Sequence, residues 1–136
     1  MAEDEAGNDP GIVTKLSHLP VADTVARLTG ILATKGMKVF AVIDQAAEAR
    51  AVDLELRQTT LVIFGSPAGG TPVMVAAPLS ALDLPLKVLV WDDGGQTKVT
   101  YYAPATLASR YDLGPDLAAR LAGVDPLTDA LVAPDA

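Results

Sequence analysis

The stretch from Leu61 to Trp91 constrains the fold more than any other part of the chain. It holds two short runs rich in leucine, valine and isoleucine, at 61–64 and 86–91, with a Gly/Pro/Ser turn and small residues between them. Short apolar runs that are bounded by glycine and proline are typical of strands in the interior of a sheet. The segment therefore predicts two apolar strands that are joined by a glycine-rich loop and a short helix of small residues.

The flanking segments predict further strands and helices. Pro20 begins a helix that ends at Gly36, because four apolar residues recur at helical spacing and form one stripe: Val21, Val25, Leu28 and Leu32. The strand predicted at 37–44 is largely apolar on both faces. The other predicted elements are strands at 12–18 and 97–102, a hairpin turn at 92–95, and short helices at 45–52, 107–111 and 116–121.

Strands that are separated by helices and close in a hairpin predict the α+β class. We expect a single two-layer domain at 11–132, with a mixed or antiparallel sheet packed against short helices and a C-terminal β-hairpin followed by further helices. A chain of 136 residues suits one such domain. Residues 1–10 are expected to form a disordered acidic arm, and residues 133–136 a loose tail.

Composition excludes several classes of function. The net charge is −7 and the ten basic residues are scattered, which argues against nucleic-acid binding. The chain has no cysteine, so disulfides and zinc–sulfur sites are excluded. No apolar run approaches the roughly 20 residues of a membrane span, and the acidic N-terminus has no apolar region typical of a secretory signal. We therefore expect a cytoplasmic protein, with no membrane contact, no metal and no cofactor.

The predicted helices are too few and too short to cover both faces of the apolar strands. Symmetric dimers are the commonest way to bury such a surface. The sequence therefore predicts a homodimer, although it does not indicate which surface forms the contact.

Three stretches carry a family resemblance: FAVIDQAAEA at 40–49, LVIFGSPAGGTPVM at 61–74 and LDLPLKVLVW at 82–91. Together they resemble the domain of unknown function 302 family, a group of small bacterial and archaeal proteins, over 15–110. The resemblance implies an α+β fold and a dimer, but no reaction. Members often carry an Asp-His pair where this chain has Asp44-Gln45, so no function of that histidine can be transferred to this chain.

The glycine-rich segment 65–71 has two interpretations. It follows a predicted strand and precedes a predicted helix that Thr71 caps, so Gly65, Ser66 and Thr71 are candidates for binding an anion or a small polar ligand. However, the segment lacks the lysine of a P-loop and the spacing of a dinucleotide fingerprint. The alternative is a tight strand-to-helix connection that needs glycine for its backbone angles.

A second group of candidates surrounds the end of the strand at 37–44. Asp44, Gln45, Glu48 and Arg57 are expected to form a polar pocket, and a buried Asp44 could act as a general base. The alternative is that Asp44 only caps the following helix, a position that aspartate favours.

Three hypotheses follow from these patterns. The favoured one is a non-enzymatic homodimer that binds a small polar or anionic ligand in a crevice between Asp44 and the 65–71 segment. The second is an enzyme in which Asp44 or Glu48 is the general base and Arg57 anchors the substrate. The third is a structural partner of another protein, which would show as an exposed apolar patch.

Overall fold

The structure is a computed structural model and describes residues 11–134. Five strands form one sheet in the order β1–β5–β4–β3–β2, and every pair of neighbours is antiparallel. The α+β prediction is thus confirmed, and of its two sheet alternatives the antiparallel one is found. The strands are β1 (Ile12–Ser17), β2 (Lys38–Asp44), β3 (Thr59–Gly65), β4 (Leu86–Asp93) and β5 (Gln96–Tyr102).

Six α-helices and one 3₁₀ turn, Pro78–Leu82, connect or follow the described strands. Three of the helices begin with proline at the first helical position, where the missing N–H has no partner in any case. The helices are α1 (Val21–Thr34), α2 (Gln45–Ala51), α3 (Pro67–Ala76), α4 (Pro104–Arg110), α5 (Pro115–Ala119) and α6 (Val124–Val132). The sequence patterns did not identify α6.

Helices α1 and α6 cover one face of the sheet. Leu28 and Leu32 of α1 and Leu131 of α6 are fully buried, because the apolar stripes of both helices face the strands. They pack against alternate residues of the three inner strands, which are themselves buried: Val62, Phe64, Val88, Val90, Val99 and Tyr101. The core of the molecule therefore lies between this face and the two helices.

The opposite face of the sheet, which we call the open face, contains no buried residue. Its side chains form three rows across the strands, defined by the strand register. Half-exposed Leu61, Leu89 and Trp91 lie on its central strands. The expectation that the strands carry apolar side chains on both faces is thus met, and the helices leave one face uncovered.

The predicted acidic arm at 1–10 and the last two residues of the predicted tail lie outside the described residues, so those predictions remain predictions. Within residues 11–134, no helix is both long enough and apolar enough to cross a membrane.

Candidate functional site

The segment at 65–71 folds differently from its prediction. Helix α3 begins at Pro67 rather than after Thr71, so Gly69, Gly70 and Thr71 are helical. Ser66 is the N-cap residue, and its Oγ accepts a hydrogen bond of 3.1 Å from the N–H of Gly69. The prediction that Thr71 caps this helix was wrong. Ser66 and Pro67 come earlier in the chain and already provide an N-cap residue followed by proline at the first helical position.

The beginning of α3 forms one wall of a cleft of about 300 Å³, which we call the α3 cleft. Gly65, Ser66 and Thr71 line this wall, so these three predicted residues do lie in one concave site. The remaining walls are mostly apolar, and they come from the start of β2, from α3, from the segment before β4 and from the end of α5. These side chains are Met37, Phe40, Met74, Leu84, Pro85, Leu86 and Leu121.

Arg120 is the one charged residue among the described residues that line the α3 cleft. It follows the last turn of α5, and its exposed guanidinium makes no hydrogen bond or ion pair within residues 11–134. A second cation lies beside the cleft, because Lys38 Nζ is 4.9 Å from the centre of the Phe40 ring. The cleft therefore combines an apolar body with local positive charge in a chain that is acidic overall.

Asp44 does not contribute to the α3 cleft. In the β2–β3 pair Asp44 is opposite Thr60, whereas Lys38 is opposite Gly65. Thr60 and Gly65 are five residues apart on an extended strand, which corresponds to about 17 Å. The predicted crevice between Asp44 and the 65–71 segment is therefore not formed, because the antiparallel pairing places its two halves at opposite ends of the sheet.

Asp44 caps helix α2, as the alternative interpretation predicted. Its Oδ1 accepts a hydrogen bond of 2.9 Å from the N–H of Ala47. Asp44, Gln45 and Glu48 are all exposed. The three side chains therefore form no buried polar pocket at this end of β2.

Arg57 contacts an aspartate and a tryptophan outside the predicted polar pocket. Its Nη1 is 3.3 Å from Asp93 Oδ1, and its guanidinium lies 5.8 Å from the centre of the Trp91 ring. Lys98 Nζ approaches the other oxygen of Asp93 at 2.7 Å, and this hydrogen bond, more than the charge of Arg57, holds the pKa of that carboxyl below its usual value. Arg57 thus makes no ion pair with Asp44 or Glu48, and the geometry proposed for a carboxylate-based enzyme is not assembled.

Comparison with known proteins identifies the family. Residues 12–130 match the family described as domain of unknown function DUF302. The chain belongs to the DUF302 family. A crystal structure of a conserved DUF302 protein from Bacillus stearothermophilus has the same fold, with a TM-score of 0.77, 19% identity, and 90% of this chain and 96% of that chain covered.

Curated relatives of this DUF302 chain are longer proteins. Over 107 residues it is 41% identical to the fluoride-specific ion channel FluC 1 of Brucella suis and, equally, to FluC 1 of Brucella abortus. Each match covers 78% of this chain but only 42% and 40% of the respective relative. The chain thus spans about two fifths of the length of the curated relatives that it matches.

A polar cluster that the sequence patterns did not assign joins the 3₁₀ turn of this DUF302 chain to the end of α4. Asp83 follows the turn, and its Oδ2 accepts hydrogen bonds from the Tyr111 hydroxyl and, at 2.8 Å, from Arg110. These donors, Tyr111 first, lower the pKa of Asp83, and the carboxylate in turn raises the pKa of Tyr111.

Residues 11–134 contain no group of three His, Asp or Glu side chains that could hold a metal ion. Of the predicted candidate residues, Gly65, Ser66 and Thr71 come together in the α3 cleft.

Proposed function

We propose that this DUF302 chain is a homodimeric binding protein that takes a small amphipathic molecule in the α3 cleft. The observation that carries the proposal is an apolar cleft of about 300 Å³ with one unpaired guanidinium at its wall. Small-molecule sites usually have this size and this composition, with a few polar groups that fix the orientation of the ligand. A homodimer would cover the half-exposed Leu61, Leu89 and Trp91 of the open face.

The lining indicates the chemistry of the ligand. Met37, Phe40 and Met74 offer adaptable apolar contacts, since methionine side chains fill irregular gaps. Arg120 has a planar guanidinium, which suits a carboxylate or a phosphate, and Lys38 adds positive charge beside Phe40. The expected ligand is therefore a short hydrocarbon chain or ring with one anionic group. Such a ligand is more apolar than the small polar or anionic ligand predicted from the sequence.

The methionines of the cleft provide a direct test. Met37 and Met74 both line it. With ¹³C-methyl methionine, titration with octanoate is expected to move the methyl signals of Met37 and Met74 in a saturable way. Assignment by the conservative variants Met37→Leu and Met74→Leu identifies each signal. A titration in which neither methyl signal moves would contradict the proposal that the α3 cleft binds an amphipathic ligand.

Paired arginine variants test the anionic group. Arg120→Gln is expected to weaken octanoate binding roughly threefold to fivefold, as an exposed ion pair of up to about 1 kcal/mol implies. Binding of octanol, which has the same tail and no charge, is expected to change little. Arg50→Gln is the matched control, because Arg50 is an exposed cation on α2 that does not line the cleft. Equal weakening by both variants would contradict a specific contact with Arg120.

The curated relatives favour a second candidate function. Proteins named fluoride-specific ion channels contain a segment 41% identical to this chain, and most of their length lies outside that segment. We propose that this chain can act as the companion module of such a channel, which refines the hypothesis of a structural partner. Exposed apolar side chains on and after α3, namely Val75, Leu79 and Leu82, are suited to a protein contact.

Co-expression tests this second function. The part of the Brucella suis relative outside its 107 matching residues would be tagged and purified with this chain present. A complex of fixed stoichiometry that Leu79→Arg weakens is the expected result. Purification of the channel portion free of this chain would overturn the companion function and leave the ligand proposal intact.

A further inference from the structure

A polar cleft of about 440 Å³ lies at the end of the sheet that carries the β4–β5 hairpin, and we call it the hairpin cleft. Strand β4 separates it from the α3 cleft, because Leu86 lines the α3 cleft and Asp92 lines this one. These two residues are six positions apart on an extended strand, which corresponds to about 20 Å. The polar residues of the hairpin cleft are Ser17, His18, Gln58, Asp92, Gln96 and Thr97.

The strand register places three of these side chains in one row. Ser17 of β1 is opposite Thr97 of β5, and Thr97 is opposite Asp92 of β4. The row lies on the core face, since Val99 is two residues after Thr97 and is fully buried there. Ser17 Oγ is 2.8 Å from Thr24 Oγ1 of helix α1. This hydrogen bond holds the first turn of α1 over the row.

Two side chains of the row have no partner in the chain. Thr97 is only 6% exposed, yet its hydroxyl makes no hydrogen bond within residues 11–134. The carboxylate of half-buried Asp92 makes no hydrogen bond or ion pair within the same residues. Among these residues, the Ser80 hydroxyl is the one side-chain polar group that is both sealed from solvent and without a partner. The Thr97 hydroxyl is therefore open to the cleft that the residue lines, and a ligand can reach it.

Helix α1 supplies hydrogen-bond donors to the opposite wall. Its N-cap residue is Pro20, and no side chain caps this end of the helix. The Thr24 N–H donates to the Pro20 carbonyl at 2.9 Å, so the N–H groups that come before it have no partner within the helix. Such groups carry partial positive charge and favour an anion. Asp23 in the first turn is exposed and does not line the cleft, whereas Pro20 and Val21 do.

The two walls of the hairpin cleft thus select opposite charges. A lone anion that binds at α1 would face the carboxylate of Asp92, and a lone cation at Asp92 would face the positive end of the helix. Ser17, which lies below α1, and Asp92 are two strand spacings apart, which corresponds to about 10 Å. An α-amino acid carries an ammonium and a carboxylate on the same carbon atom, so it can satisfy both walls at once.

We propose that the hairpin cleft binds a zwitterionic α-amino acid with a short aliphatic side chain. The ammonium pairs with Asp92, and the carboxylate accepts hydrogen bonds from the N–H groups at the start of α1. The Thr97 hydroxyl lies between the two walls and donates to the same carboxylate. Leu19 and Pro20 also line the cleft and provide apolar contacts for the side chain. This site is separate from the α3 cleft, and the two proposals stand or fall independently.

His18 gives a local signal for the first test. It is the one histidine of the chain, it is exposed, and it lines the hairpin cleft but not the α3 cleft. Titration with L-valine at fixed pH and ionic strength is expected to move its imidazole signals in ¹H–¹³C spectra in a saturable way. Binding of 3-methylbutanoate, which lacks the ammonium, and of isobutylamine, which lacks the carboxylate, is expected to be at least about tenfold weaker.

Two results would overturn the proposal. One is a His18 signal that stays in place at tens of millimolar L-valine. The other is equal binding of L-valine and of a compound that lacks one or both charges: 3-methylbutanoate, isobutylamine or glycerol. The first result would remove the site, and the second would remove its specificity for a zwitterion.

Paired variants form the second test. Asp92→Asn removes the charge and is expected to weaken L-valine binding roughly tenfold. Asp116→Asn, at an exposed position of α5, is its control and is expected to leave the affinity unchanged. Thr97→Val removes the hydroxyl and is expected to weaken binding roughly threefold. Its control is Thr60→Val, because Thr60 is also 6% exposed and has no side-chain hydrogen bond within residues 11–134, but does not line the cleft.

Circular dichroism and thermal unfolding confirm that each variant is folded. If Thr97→Val fails this check, Asp92→Asn and the His18 titration decide. Unchanged affinity for L-valine in Asp92→Asn would overturn the proposal. Equal weakening by Thr97→Val and Thr60→Val would contradict a direct contact between the ligand and the Thr97 hydroxyl.

Discussion

Tyr101 donates a hydrogen bond of 2.6 Å to Asp125 Oδ1, and this contact ties strand β5 to helix α6. Lys15, on the neighbouring strand β1, reaches the same helix, with its Nζ 2.6 Å from Thr128 Oγ1 and 2.8 Å from Asp129 Oδ1. Its ammonium also lies 5.3 Å from the centre of the Tyr101 ring. The last helix is therefore held on the sheet by a polar network as well as by its buried leucines.

Removal of the phenolic hydroxyl is the direct test of this network. Tyr101→Phe keeps the buried ring but leaves Asp125 Oδ1 without this donor. A hydrogen bond to a charged group typically contributes about 1.5–3 kcal/mol, so a loss of about 2 kcal/mol in unfolding free energy is expected. Urea denaturation would show it as a lower midpoint at unchanged slope. Tyr102→Phe is the control, since Tyr102 is 46% exposed and points to the open face. Equal losses in both variants would contradict a specific contribution of Asp125.

The same network predicts a loss of stability in alkali. Burial of Tyr101, and then its hydrogen bond to Asp125, raise the pKa of the phenol. Burial acts to lower the pKa of Lys15, but its contacts with Asp129 and Tyr101 outweigh it and raise that pKa. Both groups then hold their protons more tightly in the folded state than in the unfolded state. Their stabilisation is complete below the unfolded pKa values, about 10 and 10.4, and is lost as the pH rises through the folded values.

Urea denaturation between pH 8 and pH 11 measures this effect. The wild-type chain is expected to lose stability above about pH 10 more steeply than the double variant Lys15→Met/Tyr101→Phe. Parallel curves for the two proteins would show that these groups do not carry the alkaline transition.

Acid is expected to lower the stability of the fold by protonating Asp83. The hydrogen bond from Tyr111, and then the one from Arg110, lower the pKa of this carboxyl in the folded state. The stabilisation is therefore fully present above the unfolded pKa of about 3.9 and is lost as the pH falls through the lower folded value. Asp83→Asn is expected to be less stable than the wild type at pH 6 and to approach it below about pH 3. A constant difference in unfolding free energy across this range would contradict the assignment.

The spacing of apolar residues within a single helix or strand predicted the structure of that element well. The stripe of Val21, Val25, Leu28 and Leu32 predicted α1. Val25 is partly buried, and the other three residues are buried against the sheet. Such patterns succeed because the helical repeat determines which side chains share a face. The same signal was present for α6, where Val124, Leu127 and Leu131 recur at helical spacing and are buried, but the helices predicted from the sequence ended at residue 121.

Relations between distant elements could not be predicted in the same way. Asp44 and Gly65 both border turns of the β2–β3 region, and the sequence does not state which ends of two strands meet. The antiparallel β2–β3 pairing separates these residues, and the β3–β4 pairing, in which Thr59 lies opposite Trp91, brings Arg57 to Asp93. Arg120 was not identified at all, since it enters the α3 cleft through the packing of α5 and carries no motif.

The cap of α2 gives a prediction that separates a structural Asp44 from a catalytic one. Asp44→Ala removes the acceptor of the Ala47 N–H and is expected to cost about 1 kcal/mol of unfolding free energy. Asp44→Ser keeps an acceptor at the same position and is expected to restore most of the loss. Octanoate binding to the α3 cleft should be equal in both variants, because Asp44 lies at the other end of the sheet. A change in ligand affinity with unchanged stability would contradict the capping interpretation.

Ser80, in the 3₁₀ turn, is a buried polar side chain whose removal is expected to stabilise the fold. The residue is 2% exposed, and its hydroxyl makes no hydrogen bond with any part of the chain that the structure describes. A buried hydroxyl without a partner typically costs about 1–3 kcal/mol. Ser80→Ala removes that cost with the loss of one atom, so the unfolding free energy is expected to rise by about 1 kcal/mol. Ser109→Ala, at an exposed position of α4, is the control and is expected to change stability by less than about 0.5 kcal/mol. A destabilised Ser80→Ala variant would show that the hydroxyl has a partner in solution.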